Sequence, residues 1–532
     1  MGTLMNEAFA SDNITHALGW LDLAVLAASI AALLAIAYLT GRKEADTQDF
    51  FLGRRSVPAA VACLSFVAAE ISAVTIIGVP AIGFKENWQY LQFFIGSAAA
   101  RILIAFLFIP VFYRLNCTTI YEFLLHRFGS QTQYAGSVFF FITRLLGSAV
   151  RLYAASLGIS VILDWSLGQS ILLFTVVGIA FIAFGGIKAV VWTGAFEAAM
   201  FYVAGLAVAG YLLMHVDGGL AEIWRTAGQA GRLDTINLAV SLKDPNTLWA
   251  AVLGTAFMNA SVFGTDQDFM QRLLTVRTRR SSQKALLGTI VAGMPLVFLY
   301  LSLGTLLFVF YNQNPALPLP DNPDKILSHF TVQGLPMGLK GLVLAAIVLA
   351  SIDSPLSSLS SSFVTDIYRP LLNRSACERH YLWVSRAGVI GFGIILSLMA
   401  YGCQAFKDIL WVALQVIGIT GGSLLGVFLL GLLTRRRANR ANVVAMTASA
   451  IAMAVLLYLS QTERIPLAWT WLILIGTAMT FGLSWLLAPL VDRQEPAKPT
   501  PVPAAAGQLH DQAITANAAK DAVCHRKRSG LP

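Results

Sequence analysis

An apolar run long enough to cross a membrane is interrupted by the sequence FVAAEISA, residues Phe66–Ala73, and then by Gly78, Pro80 and Gly83. The acid Glu70 stands inside this run, where a charge is expensive and is usually kept for function. Glycine and proline allow a membrane helix to open and expose its backbone carbonyl oxygens. The pattern therefore predicts a broken membrane helix whose oxygens suit a small cation.

A second apolar run is interrupted in the same way, by Asn259–Ser261 and then by the sequence GTDQD, residues Gly264–Asp268. Two interrupted runs five elements apart indicate an inverted repeat, with a binding site at mid-membrane between two broken helices. Asp266 and Gln267 are therefore candidates for binding a solute. A simpler interpretation is that the acids only mark the cytoplasmic end of the run, and we expect this for Asp268.

The densest group of polar residues is the sequence ASIDSPLSSLSSS, residues Ala350–Ser362. Hydroxyl groups three and four residues apart share one face of a helix, and Asp353 adds a carboxylate to it. Such oxygen donors suit a sodium ion or a proton relay. Helix packing through small residues also explains the serines, but it does not explain an acid in the middle of a span.

The composition requires a membrane environment. Of the 532 residues, 57% are hydrophobic and 12% are charged, and the mean hydropathy is +0.69, which is unlike a soluble domain. The net charge of +9 comes from short Lys and Arg clusters between apolar runs, so a nucleic-acid partner is not indicated. Five scattered cysteines without a CxxC pair indicate neither a disulfide framework nor a zinc site.

Windows of about 20 largely apolar residues recur along almost the whole chain. They predict an all-α integral membrane protein with about thirteen transmembrane helices. The predicted spans are 20–40, 56–83, 90–114, 133–164, 168–186, 188–215, 247–275, 281–312, 336–368, 380–402, 405–434, 441–460 and 467–490.

Lysine and arginine concentrate in alternate loops, for example at Arg277–Arg280 and Arg435–Arg437. The positive-inside rule makes these loops cytoplasmic. With an odd number of spans, the membrane domain 20–490 then has its N-terminal segment 1–19 outside the cytoplasmic membrane and its C-terminus inside. Segment 491–532 is rich in proline and alanine and is predicted to be a disordered cytoplasmic tail.

Four segments together resemble the sodium:solute symporter family, which includes sodium/glucose and sodium/proline carriers. They are DFFLGRR at Asp49–Arg55, AAEISA at Ala68–Ala73, GGIKAVVWT at Gly185–Thr193, and the serine-rich span that ends in DIY at Asp366–Tyr368. Gln271-Arg272 adds to the resemblance.

The resemblance implies a LeuT-type core of two inverted five-helix repeats, at about 56–215 and 247–434, with alternating access around a central site. It also implies a sodium site made by the carbonyl oxygens of Ala68, Ile71 and Ile347 and by hydroxyl groups at positions 350 and 351.

This chain departs from the family pattern at two positions. Position 350 is Ala350, so Ser351 alone supplies a hydroxyl group, and Gly194 stands where many members carry an acid. Our hypothesis is that the carboxylate has moved to Asp353, one helical turn after position 350, and Ser354 is a further candidate ligand. A buried Asp353 can equally couple protons, because burial raises the pKa of a carboxyl group.

Arginines inside predicted spans bear on the solute. Arg144 and Arg151 are seven residues apart and share a helix face, and Arg101 lies in the preceding span. An arginine that faces a cavity recognises a carboxylate through paired hydrogen bonds, which favours an organic anion. The alternative is an internal ion pair with Glu70 or Glu197. The candidate solute-binding residues are Glu70, Ser72, Thr75, Arg151, Asp266, Gln267 and Gln415.

The predicted function is sodium-coupled symport of a small polar organic solute across the cytoplasmic membrane, without a cofactor other than the coupling ion. A proton-coupled symporter and an uncoupled facilitator of the same fold remain alternatives. An enzyme is not predicted, because the sequence has no HExxH, GxSxG or phosphate-binding glycine loop.

Overall fold

The computed structural model describes residues 18–41, 46–163, 165–320, 322, 325–352, 355–405, 409–462 and 464–492. Within these ranges the secondary structure is helical, apart from an isolated bridge between Val57 and Val276. The predicted N-terminal segment and C-terminal tail lie almost wholly outside the described residues. The all-α class that the sequence predicts is confirmed.

The twenty α-helices of the described ranges are numbered in chain order. The first ten are α1 (Trp20–Gly41), α2 (Thr47–Leu52), α3 (Ala59–Glu70), α4 (Ala73–Lys85), α5 (Gln92–Leu103), α6 (Ile109–Arg114), α7 (Tyr121–Arg127), α8 (Ser130–Leu163), α9 (Leu167–His215) and α10 (Gly219–Gln229). The others are α11 (Thr255–Gly264), α12 (Gln267–Leu274), α13 (Arg279–Gln313), α14 (Ile326–Gln333), α15 (Leu339–Ile352), α16 (Leu356–Ser362), α17 (Glu378–Gly402), α18 (Ile409–Leu433), α19 (Asn439–Gln461) and α20 (Thr470–Val491). The π-helical segments are Ile104–Phe108, Ala250–Gly254 and Phe363–Leu372.

Helices long and apolar enough to cross a bilayer make up most of the described chain. They number nine within the described ranges, or up to ten with the bent pair α3–α4, and Leu167–Ala183, Ala250–Gly264 and Gly418–Leu433 are shorter apolar helices. Each predicted span contains a described helix or helix pair. The count of thirteen spans and the two inverted repeats stay predictions.

Helix α9 contains two predicted spans, 168–186 and 188–215, joined by a kink. Gly186 has φ 50° and ψ −151°, a conformation that favours glycine because it lacks a Cβ atom. Just after the kink, Lys188 Nζ lies 2.6 Å from Asp49 Oδ1 in α2. This ion pair fixes the second half of α9 against the short helix α2.

Asp22 joins α1 to the start of α15. Its buried carboxylate accepts hydrogen bonds from the backbone N–H groups of Gly19, Gly338 and Gly341, at 2.9, 2.7 and 2.8 Å. A carboxylate at a helix N-terminus satisfies donors that have no partner within the helix. The contact therefore positions α15, which carries Ile347 and Ser351.

Helices α4 and α13 cross closely because glycines meet at the crossing. A Cβ atom added to Gly304 would lie 2.0 Å from the Pro80 carbonyl oxygen, and one added to Gly83 would lie 2.2 Å from the Leu301 carbonyl oxygen. The obstacle in both cases is backbone, which a rotamer change cannot remove. The second half of the broken helix is therefore packed directly on α13.

A Gly304→Ala variant is expected to lose about 1–3 kcal/mol of stability, because its methyl group overpacks this crossing. Thermal unfolding of the purified protein in detergent measures the loss. Gly210→Ala in α9 is the matched control, since a Cβ there meets no atom within 4 Å and alanine is the better helix former. Equal transition temperatures for both variants would contradict the close crossing.

Candidate functional site

The helix break predicted at Phe66–Ala73 is present. Helices α3 and α4 meet at a bend of 64°. Ile71 (φ −85°, ψ 110°) and Ser72 (φ −102°, ψ 170°) are extended at the bend. The Ser72 N–H lies 3.4 Å from Thr75 Oγ1, with no bond to the Ala68 carbonyl among the described contacts. The break thus provides backbone oxygens for a ligand.

The opposite wall of the implied sodium site comes from α15. Ala68, Ile71 and Ala350 belong to one buried apolar cluster, and Ile347 packs against it. The Ser351 hydroxyl donates to the Ile347 carbonyl oxygen at 2.8 Å. Ala68 and Ile71 therefore lie at the helix break, and Ile347 and Ser351 lie on α15, which packs against α4.

Two more predicted sodium ligands, Asp353 and Ser354, lie outside the described residues, so their role stays a prediction.

A central cavity of about 680 Å³ lies beside the helix break. Glu86, Pro245, Asn246 and Trp469 border one end of it, next to the start of the Ala250–Gly264 helical run. At the other end of the cavity, where the Ala250–Gly264 helical run stops, the lining residues are Asp266, Phe269 and Arg144. These three residues are called the floor. The volume is in the range that holds a small organic ligand.

The floor contains a network of charges. Arg144 forms ion pairs with Asp268 and, at 3.4 Å, with Asp266, and its guanidinium lies 5.8 Å from the Phe269 ring. Asp268 Oδ2 is also 3.8 Å from Arg272, whose side chain is fully buried. Asp268 is thus a buried partner of two arginines. The sequence had instead predicted that Asp268 only marks the cytoplasmic end of the apolar run. The charge of Arg144 is balanced by these two aspartates, and the ion pairs join α8 to α12.

Glu70 forms an ion pair with Arg101. An internal ion pair with Glu70 was one of the alternatives that the sequence left open for the arginines. The guanidinium of Arg101 has no exposed surface, while the Glu70 side chain is 19% exposed toward the cavity. Arg101 also donates to Thr289 Oγ1 at 2.8 Å and lies 4.8 Å from the Phe263 ring. The pair fixes the end of α3 to α5, α11 and α13.

Arg151 is more exposed than Arg101 and Arg144. Its side chain is exposed, and it lines the central cavity. It also lines a second, smaller cavity of about 50 Å³, which reaches Ser351 on α15. Arg151 therefore lines both the central cavity and the smaller cavity that reaches Ser351, one of the candidate sodium ligands.

A model of the sodium:solute symporter family matches residues 50–449. The chain belongs to this family. Among its relatives, the sodium/sialic acid symporter SiaT of Proteus mirabilis is 30% identical over 82% of this chain and 90% of the relative. The sodium-dependent multivitamin transporter of Oryctolagus cuniculus is 31% identical over 79% of this chain and 68% of the relative.

Solved structures agree with this membership. A Na⁺-coupled sialic acid symporter in a substrate-bound outward-open state superposes with a TM-score of 0.79 at 28% identity, covering 90% of this chain and 99% of the other. Mhp1, a nucleobase-cation-symport-1 family transporter, shares the fold with a TM-score of 0.53 at 14% identity, covering 86% and 96%. The predictions of a LeuT-type membrane transporter and of a symporter rather than an enzyme are confirmed.

The remaining predicted solute-binding residues of this sodium:solute symporter lie in different parts of the structure, and not all of them line the cavity. Thr75 lines the cavity with Glu70 and Asp266, whereas Ser72 is at the helix break. Gln267 is fully buried beyond the floor, where its side-chain oxygen accepts from the Ile120 N–H at 2.9 Å. Gln415 belongs to α18, and its side chain lies outside the description, so its role stays a prediction.

Sequence reasoning missed Ser97 in this family member. Ser97 lines the cavity, and its hydroxyl oxygen accepts from Arg101 and from Asn259 Nδ2, the latter at 2.5 Å. It lies four residues before Arg101, on the same helix face, which is a signal that the sequence offered. Ser97 links the Glu70–Arg101 pair to the second broken region.

Proposed function

We propose that this protein couples the uptake of a small organic carboxylate to sodium entry across the cytoplasmic membrane. The observation that carries the proposal is the position of Arg151, which lines both the central cavity and the smaller cavity at Ser351. A guanidinium binds a carboxylate through two parallel hydrogen bonds. The same residue thus places an anionic solute beside the candidate cation ligands.

The relatives support a carboxylate in particular. Their names specify sialic acid for the Proteus mirabilis protein and monocarboxylates for proteins of Danio rerio and Homo sapiens. All of these solutes carry a carboxylate group. A cavity of about 680 Å³ accepts solutes of either size.

For the cation, the proposed ligands are the carbonyl oxygens of Ala68, Ile71 and Ile347 and the Ser351 hydroxyl, with Asp353 and Ser354 as further candidates. A cation bound at the helix break orders α3 and α4, which carry Glu70 and Thr75 on the cavity side. Solute and sodium then raise each other's affinity by the same factor, because binding free energies are reciprocal.

A Ser351→Ala variant is expected to raise the sodium concentration for half-maximal uptake by about tenfold, as loss of about 1.4 kcal/mol of binding does. The missing hydroxyl removes a ligand that Ala350 cannot replace. Ser29→Ala in α1 is the matched control, because Ser29 makes the same hydrogen bond to the carbonyl four residues earlier, at 2.8 Å. An unchanged sodium requirement would remove Ser351 from the cation site.

The proposal is tested by uptake into proteoliposomes of labelled sialic acid, short monocarboxylates and a neutral sugar. Sodium and proton gradients are imposed separately. Accumulation of a carboxylate under the sodium gradient supports the proposal. Accumulation under the proton gradient alone would make the acids proton relays. Equilibration without accumulation would make the protein a facilitator. Either result would overturn sodium coupling.

A further inference from the structure

A non-helical segment borders the end of the central cavity that lies opposite the floor. It comprises residues 232–247, between α10 and the helical run that includes Ala250–Gly264, and is called the strap. Pro245 and Asn246 belong to the strap, and both line the cavity. The strap is therefore part of the wall that a solute can touch at this end.

Gln92 holds the strap beside these lining residues. It is the first residue of α5, and its side chain is buried. Its Oε1 accepts from the Asn237 N–H at 3.0 Å, and its Nε2 donates to the Asn246 carbonyl oxygen at 3.0 Å. Nε2 also donates to the Gln89 carbonyl oxygen at 3.1 Å, which orients the amide. One buried side chain thus joins two separate parts of the strap to a helix.

Little apolar packing holds the middle of the strap. Its large apolar side chains there are 61–92% exposed, namely those of Ile236, Leu238, Val240 and Leu242. A hydrogen bond at 2.7 Å from the Ala468 N–H to the Leu242 carbonyl oxygen ties this stretch to the chain just before α20. The bond from Gln92 acts on Asn246 directly, so the position of this lining residue depends on Gln92.

Helix α8 shows on which side of the floor Arg151 lies. Gln133, near the start of α8, donates to Asp366 at 3.0 Å. Asp366 also accepts from Thr119, in the segment that contacts Gln267 beyond the floor. The helix therefore enters from beyond the floor, and Arg151, which follows the floor residue of α8, lies on the side of the strap.

The helix lengths indicate how long a solute must be to touch the strap. Arg144 and Arg151 are seven residues apart, which is about 10 Å along α8. The Ala250–Gly264 run lies between the strap and the floor and is about 21 Å long. About 10 Å therefore remain between Arg151 and the strap. A three-carbon acid is shorter than this distance, whereas an extended nine-carbon acid covers it.

We propose that Gln92 is a positioning residue that sets the selectivity for solute size. It holds Pro245 and Asn246 where the far end of a longer carboxylate contacts them, while a short monocarboxylate bound at Arg151 leaves the strap untouched. The inference rests on the proposed recognition of a carboxylate at Arg151, and it adds a second region of contact for longer solutes.

The test compares sodium-driven uptake of labelled sialic acid and of labelled pyruvate into proteoliposomes. Gln92→Met keeps the length of the side chain and removes its hydrogen bonds to the strap. The KM for sialic acid is expected to rise about tenfold, and the KM for pyruvate to change by less than about twofold. Both maximal rates are expected to stay near those of wild type, because the residues at Arg151 and at the helix break are intact.

Asn246→Ala is a second variant, which removes a lining side chain and keeps the backbone carbonyl that Gln92 binds. It is also expected to raise the KM for sialic acid alone, and it keeps the proposal testable if Gln92→Met does not fold. Gln313→Met is the matched control. The Gln313 amide likewise bonds a backbone N–H and a carbonyl oxygen, those of Asp217 at 3.0 and 2.9 Å, but outside the described cavity lining. Both KM values of this control are expected to equal those of wild type.

The two solutes separate size selection from a general effect on the fold. An unchanged KM for sialic acid in both Gln92→Met and Asn246→Ala would overturn the proposal, and so would an equal rise for both solutes. Uptake of pyruvate but not of sialic acid by wild type would also overturn it, because no longer carboxylate would then reach the strap. Absence of sodium-driven uptake of any carboxylate by wild type would instead overturn the proposed function.

Discussion

A Glu70→Gln variant is expected to unfold at a clearly lower temperature than wild type and to lose most of its sodium-driven uptake. The change leaves the guanidinium of Arg101, which has no exposed surface, without its carboxylate. Removing one partner of a buried ion pair costs about 3–5 kcal/mol, and the partial exposure of Glu70 favours the lower end of that range. Thermal unfolding in detergent and uptake into proteoliposomes measure the two effects.

Two further variants separate the buried pair from a general effect of charge removal. Glu222→Gln breaks an ion pair with Arg225 in which both side chains are partly exposed, so its unfolding temperature is expected to equal that of wild type. The double variant Glu70→Gln/Arg101→Met removes both buried charges and is expected to recover part of the lost stability. Wild-type stability of Glu70→Gln alone would contradict a structural role for the pair.

The backbone of the site was largely readable from the sequence. The polar interruption at Phe66–Ala73 predicted the position of the break between α3 and α4, whereas Gly78, Pro80 and Gly83 lie inside α4 and do not open it. The spacing of Arg144 and Arg151 placed both on one face of α8, and both line the cavity. Such features depend on local geometry, which needs no knowledge of the neighbouring helices.

The partners of the charged residues were not readable in the same way. Arg144 pairs with Asp268, which is 124 residues away in the chain, so the pair exists only once α8 and α12 are packed. For the same reason the sequence could not separate Arg101, a buried structural residue, from Arg151, an exposed cavity residue. Gln267 has a polar side chain that suits a solute ligand, yet the packing of the helices places it beyond the floor.

An Arg151→Ala variant is expected to raise KM for a transported carboxylate by about a hundredfold. Two charge-assisted hydrogen bonds at 1.5–3 kcal/mol each would be lost, and water in the cavity offsets part of that loss. Arg151→Lys keeps the charge without the paired geometry, so its KM is expected to rise about tenfold. Both values come from initial rates of sodium-driven uptake over a range of solute concentrations.

The controls for Arg151 test whether the effect belongs to solute recognition. Arg436→Ala removes an exposed arginine that lies 4.6 Å from the Trp485 ring, outside the cavity lining, and is expected to leave KM unchanged. Sodium binding to Arg151→Ala without solute is expected to match wild type, because the proposed cation ligands are intact. A wild-type KM in Arg151→Ala would instead assign carboxylate recognition to another group in the cavity.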